Sequence, residues 1–106
     1  MVQAEAFVEE KLKKKVVIFS KSYCPYCIKA IKCFEKFNLK EDDYEVIQLE
    51  DNPDSDAIQE YLSKITGGRT VPRVFIGGKF VGGGDETCAM AKSGELDKKL
   101  REVGAL

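Results

Sequence analysis

Two thiols stand at Cys24 and Cys27 in the run Cys24-Pro25-Tyr26-Cys27. At this spacing the sulfurs can close a small disulfide loop when the first cysteine sits at a helix N-terminus. The flanking residues supply that arrangement. Val16-Val17-Ile18-Phe19, a continuous β-branched and aromatic run, reads as a strand buried on both faces. From about Pro25 to Phe37, Ile28, Ile31, Phe34 and Phe37 recur at helical spacing. Pro25 suits a first helical turn, where its missing N–H would have had no partner. Cys24 is thus expected at the positive end of a helix, which stabilises a thiolate and lowers the pKa below the free value of about 8.5. Lys21, just upstream, adds a cation that acts in the same direction. A thiolate is the nucleophile of thiol–disulfide exchange, and a low-pKa thiol is also a good leaving group. Cys27, one turn into the helix, is expected to be less exposed and to resolve the mixed disulfide formed at Cys24.

The same pair could instead be half of a zinc site. Tetrahedral zinc takes four ligands, and with no histidine in the chain Cys33 and Cys88 would have to complete the set. Neither belongs to a second C-x-x-C pair, and Cys33 follows Ile28 and Ile31 toward the buried side of its helix. A C-x-x-C beside a strand–helix–strand pattern favours redox chemistry. Cys33 and Cys88 are then expected to be small apolar packing residues, and no metal is expected.

The rest of the chain must position that pair, and it has 106 residues in which to do so, enough for one domain. Seventeen Lys and Arg against eighteen Asp and Glu leave a net charge of -1, which argues against a nucleic-acid binder. With 43% hydrophobic residues the chain can support a packed core. No stretch is apolar for long enough to span a membrane. The N-terminus is acidic and helical in character, unlike a secretory signal, so a cytoplasmic location among reduced thiols is expected. The absence of histidine removes imidazole-based catalysis.

Apolar spacing over about Val2 to Lys14, through Ala4, Phe7, Val8 and Leu12 with Val2 joining them, predicts an amphipathic helix. Its lysine-rich end reads as a solvated helix terminus. Tyr44, Val46, Ile47 and Leu49 make a second strand. A helix capped by Asp54 or Ser55 runs to about Thr66, with Ile58, Tyr61, Leu62 and Ile65 inward, and Gly67-Gly68 ends it. Arg73 to Ile76 and Lys79 to Val81, joined by Gly77-Gly78, read as a hairpin. A flexible loop at Gly82, Gly83 and Gly84, a short helix over Thr87 to Ala91, and a last helix carrying Leu96, Leu100 and Val103 complete the chain. The order α-β-α-β-α-β-β-α-α implies a small mixed sheet with helices on both faces.

Lys21-Ser22-Tyr23-Cys24-Pro25-Tyr26-Cys27 resembles the active-site segment of dithiol glutaredoxins, which have the thioredoxin fold. The likeness continues through Thr66 to Gly77, resumes at Gly82-Gly83-Gly84-Asp85 and Ser93-Gly94-Glu95-Leu96, and closes with Gly104-Ala105-Leu106. Thioredoxin itself fits poorly: Pro25-Tyr26 stands where Gly-Pro belongs, and the chain has no tryptophan.

The resemblance implies a glutathione-dependent oxidoreductase with a groove for glutathione beside Cys24. It implies a cis Val71-Pro72 peptide, with the Val71 backbone pairing with the cysteinyl part of the ligand. Lys21 and Gln59 fall where the glycyl carboxylate binds, and Tyr26 and Thr70 line the groove. Gly83, Gly84, Asp85 and Glu86 fall at the γ-glutamyl end, where many members carry a small polar residue followed by Asp. Here Asp85 is followed by Glu86, and either acid can take the ligand ammonium. Glutathionylated and disulfide-containing proteins are the implied clients, ribonucleotide reductase among them, with glutathione reductase and NADPH upstream and the protein a monomer. The expected potential is about −200 to −230 mV. The alternative is a dimer that holds a [2Fe–2S] cluster through the first cysteine and glutathione; in the resemblance, Pro25 goes with the catalytic type instead.

Overall fold

The computed structural model describes residues 2–106, with the Val2 side chain outside the described set. The fold is organised by β1 (Val16–Ser20), every residue of which is buried. Because strand side chains alternate, β1 feeds two cores. Val17 and Phe19 join Ala4, Val8, Ile58 and Leu62 on one face. Val16 and Ile18 join Ala30, Phe34, Leu96 and Leu100 on the other.

The first face is covered by α1 (Val2–Lys11) and α3 (Ser55–Thr66), the second by α2 (Pro25–Glu35), α4 (Gly84–Ser93) and α5 (Glu95–Glu102). With β2 (Tyr44–Gln48), β3 (Arg73–Ile76) and β4 (Lys79–Gly82), the sheet has four strands in the order β2-β1-β3-β4. β2 runs parallel to β1, while β3 and β4 are antiparallel additions. Gly77 and Gly78 join β3 to β4 with φ of +62° and +78°, the left-handed pair that a tight hairpin turn requires. Leu49, expected within the second strand, begins a short 3₁₀ turn over Leu49–Asp51.

Three expectations need correction. Ile28 is 43% exposed and Ile65 41%. Successive helix residues turn by about 100°, so the buried stripes settle on Cys27, Ala30 and Phe34 in α2, and on Ile58, Gln59 and Leu62 in α3. The glycine loop is also shorter than expected, because α4 begins at Gly84 and runs to Ser93. Glu86 Oε1 accepts a hydrogen bond from Gly83 N at 2.8 Å, half of a capping box, which starts the helix inside the glycine run. The lysine-rich segment after α1 is partly paired: Lys11 and Lys14 converge on Glu45 at 2.8 and 3.4 Å. Among the described residues no helix is long and apolar enough to cross a membrane.

Candidate active site

Cys24 is the N-cap of α2, half-buried, with extended backbone at φ −89° and ψ 116°. Its Sγ accepts a hydrogen bond from Cys27 N at 3.2 Å. One of the unpartnered N–H groups of the first helical turn therefore points at the sulfur, and Pro25 contributes no competing donor. That N–H donates to the sulfur at the positive end of the helix. The turn behind is anchored. Cys24 N donates to Lys21 O at 3.0 Å, and Ser22 N donates to the Glu50 carboxylate at 3.1 and 3.2 Å. Ser22 Oγ donates to the same carboxylate. That hydroxyl bond, with the Lys21 cation as a smaller contribution, holds the Glu50 carboxyl below its ordinary range.

Cys27 differs sharply from Cys24. It is fully buried on the inner side of α2. Burial first, and the neighbouring Cys24 sulfur second, push its thiol up to about 11, while the Lys21 backbone and the Ser20 hydroxyl pull it down. Ser20 ends β1 with its side chain buried and no hydrogen-bond partner for its Oγ. Sequence reasoning passed over Ser20, although a hydroxyl closing an otherwise apolar buried strand was the available signal.

Beside the pair lies a groove of about 690 Å³, within the range of small-molecule sites. Eight of the residues singled out from sequence line it: Tyr26, Thr70, Val71, Pro72, Gly83, Gly84, Asp85 and Glu86. The Val71-Pro72 peptide bond is cis, and Cys24 Sγ lies 3.7 Å from Val71 O. Lys21 and Gln59 stand outside that lining. Gln59 is buried and donates from Nε2 to Arg69 O at 3.1 Å, which ties α3 to the segment leading into Thr70. Asp85 pairs with Lys29 at 2.9 Å. Arg73 and Phe80, which read in sequence as ordinary strand residues, also line the groove. The Arg73 side chain donates to Thr70 O at 2.7 Å and Thr70 Oγ1 at 3.0 Å, and its guanidinium lies 5.1 Å from the Phe80 ring centre.

Cys33 and Cys88 are not free packing residues. They are joined in a disulfide between α2 and α4, with Cα atoms 5.7 Å apart. The helical stripe placed Cys33 toward the interior, but it sits at the edge of that stripe, half-buried, and faces α4. The zinc alternative required both sulfurs as ligands, and here each is bonded to the other. Among the described residues no three His, Cys, Asp or Glu side chains converge as a metal-binding group.

A capped thiol at a helix N-terminus, a buried thiol one turn on and a cis-proline groove, all on a β2-β1-β3-β4 sheet, are a restrictive combination. The family model described as Glutaredoxin matches residues 16–81. The chain belongs to the glutaredoxin family. It is 42% identical to a pig glutaredoxin-1 over 104 residues, covering 97% of this chain and 98% of that relative. Oxidized glutaredoxin 2 from Chlamydomonas reinhardtii superposes with a TM-score of 0.91 at 47% identity, covering 99% of this chain and 97% of that one. A buckwheat glutaredoxin–glutathione complex superposes with a TM-score of 0.90 at 39% identity, covering 99% and 94%. The fold is the thioredoxin fold, and this glutaredoxin is a thiol–disulfide oxidoreductase.

Proposed function

We propose that this glutaredoxin draws its electrons from glutathione, reducing protein–glutathione mixed disulfides through Cys24 alone and protein disulfides through Cys24 and Cys27. The observation that carries the reading is the position of Cys24 Sγ. It is capped by Cys27 N at 3.2 Å and lies 3.7 Å from Val71 O, a residue that lines the groove. The buckwheat relative, structurally close along its whole length, is a glutathione complex, which supports the choice of ligand.

In the monothiol route the Cys24 thiolate attacks the glutathionyl sulfur, and the protein thiolate leaves and takes a proton. A second glutathione thiolate then attacks that glutathionyl sulfur, releasing glutathione disulfide and regenerating Cys24. In the dithiol route the Cys24 thiolate attacks the client disulfide and releases the first client thiol, and Cys27 then attacks the Cys24 sulfur to expel the second. Two glutathiones reduce the resulting Cys24–Cys27 disulfide. Burial raises the Cys27 thiol to about 11 and so disfavours a Cys27 thiolate that would compete at a glutathionylated Cys24, which leaves the monothiol route open.

The Lys21 ammonium and the remaining Gln59 N–H, which stand outside the groove lining, serve the glycyl carboxylate, and within the groove the Val71 backbone pairs with the cysteinyl peptide beside Pro72. Tyr26 and Thr70 form the walls. The N–H groups that open α4, at Gly84 and Asp85 after Gly83, suit the γ-glutamyl carboxylate. Asp85 or Glu86 takes the ammonium. The client class is glutathionylated and disulfide-bonded protein in a reducing, cytoplasmic setting, with glutathione reductase and NADPH as the supply and ribonucleotide reductase as one client.

The test is deglutathionylation of a model peptide by wild type, Cys24→Ser and Cys27→Ser. The expected result is turnover by wild type and Cys27→Ser and none by Cys24→Ser. Turnover by Cys24→Ser, or an inactive wild type, overturns the reading. A visible-absorbing protein after anaerobic purification would point to the cluster-binding alternative.

A further inference from the structure

α2 and α4 meet at three successive levels. At the groove, a Cβ added to Gly84 would lie 2.7 Å from Tyr26 O, so α4 touches the first turn of α2. One level down, Lys29 pairs with Asp85 at 2.9 Å. Below that, Cys33 is joined to Cys88. The upper contacts are a van der Waals approach and an exposed ion pair, which solvent weakens. The lowest is covalent, and it lies on the same short helix whose first turn forms the Gly83 to Glu86 end of the groove.

We infer that the Cys33–Cys88 disulfide is a redox-reversible tether that positions the first turn of α4 and so sets the affinity of the groove for glutathione. The inference rests on the glutathione reading above. Two further observations support reversibility. Cys33 is half-buried whereas Cys88 is buried, so Cys33 is the more open side of the disulfide for an incoming thiolate. The Cys88 sulfur also lies 3.4 Å from Lys29 O, so a released Cys88 thiol has an acceptor in place for its S–H. Opening the tether therefore leaves no orphaned group inside.

The exchange uses the reactants of the proposed activity. A glutathione thiolate attacks Cys33 Sγ, the Cys33–Cys88 bond breaks, and the Cys88 thiolate takes a proton. A second glutathione thiolate attacks the glutathionyl sulfur on Cys33, releasing glutathione disulfide and leaving two thiols. Glutathione disulfide closes the bond by the reverse steps. Burial makes Cys88 a poor leaving group, so this exchange is slower than that at Cys24 and follows sustained changes in thiol balance. Cys24 is held by the 21–24 turn, by the cap from Cys27 N within α2 itself and by Val71, none of which lies on α4, so the chemical step is spared.

The experiment compares wild type with Cys33→Ser/Cys88→Ser, and with Cys33→Ser alone, which keeps the Cys88 thiol should the double variant fold poorly. Non-reducing peptide mapping of wild type is expected to find the Cys33–Cys88 peptide after equilibration with glutathione disulfide and to lose it in excess glutathione. The variants are expected to show KM for glutathione raised about fivefold to tenfold with kcat within about twofold. Amide exchange over residues 83–88 is expected to be about tenfold faster than in oxidised wild type. A disulfide that persists in excess glutathione overturns reversibility, and an unchanged KM with unchanged exchange overturns the positioning role. A wild type without glutathione turnover overturns the underlying reading and the affinity claim together. The exchange comparison, which needs no glutathione, then decides alone whether the tether orders α4.

Discussion

Lys29 on α2 reaches Asp85 on α4, with Nζ 2.9 Å from Oδ1. Of the two adjacent acids at the groove, the first therefore already faces a cation. Among the described residues Glu86 is engaged only by the Gly83 N–H at 2.8 Å, a neutral donor that does not pair its charge. The ammonium of the proposed glutathione ligand is therefore expected at Glu86, the less compensated carboxylate. Glu86→Gln isolates that charge, because an amide oxygen still accepts the Gly83 N–H and keeps the cap. Losing a charge-assisted bond of about 1.5–3 kcal/mol should raise KM for glutathione by about tenfold or more. Asp85→Asn should change it less than about twofold, since that carboxylate already faces Lys29 in an exposed pair that solvent weakens. Steady-state kinetics on the two variants decides, and the opposite ranking assigns the ammonium to Asp85.

Gly84 is required for its lack of a side chain. An added Cβ would meet Tyr26 O at 2.7 Å and Tyr26 Cβ at 3.3 Å, so either α4 backs away or the first turn of α2 distorts. Overpacking of this kind costs about 1–3 kcal/mol. Gly84→Ala is expected to lower the denaturant midpoint accordingly and to raise KM for glutathione, because the displaced groups line the groove. A variant with wild-type midpoint and KM would show that the contact relaxes without consequence.

Much of this was legible in sequence because the strongest signals are local. The run of buried residues at Val16–Ser20, the Gly77-Gly78 turn and the Cys24-Pro25 cap each follow from chemistry within a few residues. Ile28 and Ile65 misled because a periodic stripe is read only to within one helical position, and a 100° step carries a residue to the surface. The start of α4 was hidden because three glycines read as a loop, while the Glu86 side chain that caps it acts from three residues away. The Cys33–Cys88 bond was out of reach for a different reason. It spans 55 residues of sequence, and only the packing of α2 on α4 brings the pair together. Arg73 and Phe80 likewise become groove residues through the cis Val71-Pro72 segment and the hairpin, not through any pattern of their own.

The buried Cys27 thiol makes stability depend on alkaline pH. Its pKa is raised from 9.0 to about 11 by folding, chiefly by burial. Below about pH 9 both folded and unfolded chains hold the proton, and Cys27 adds no slope. Between about 9 and 11 only the folded chain holds it, so stability falls as pH rises. The loss approaches about 2–3 kcal/mol at the upper end, at about 1.4 kcal/mol per pH unit. Denaturant midpoints at pH 8, 9.5 and 10.5 should therefore decline more steeply for wild type than for Cys27→Ala. Parallel declines would show that Cys27 ionises as readily in the folded protein as in the unfolded chain.

Ser20 supplies the last prediction, which separates the two routes. Its hydroxyl is buried at the end of β1, has no hydrogen-bond partner, and counters the upward push on the Cys27 thiol. A hydroxyl in that position favours a thiolate by donating to it, and Cys27 must become a thiolate only when it attacks the Cys24 mixed disulfide. Ser20→Ala is therefore expected to slow reduction of a protein disulfide by about threefold to tenfold, the range that follows from a hydrogen bond of about 0.5–1.5 kcal/mol. Deglutathionylation through Cys24 should be unaffected. Stability should change by less than about 1 kcal/mol, because no hydrogen-bonded group loses its partner. Both activities are measured on the same preparation. Equal slowing of the two would place Ser20 in the support of the Cys24 turn, and no slowing of either would leave its hydroxyl without a part in the exchange.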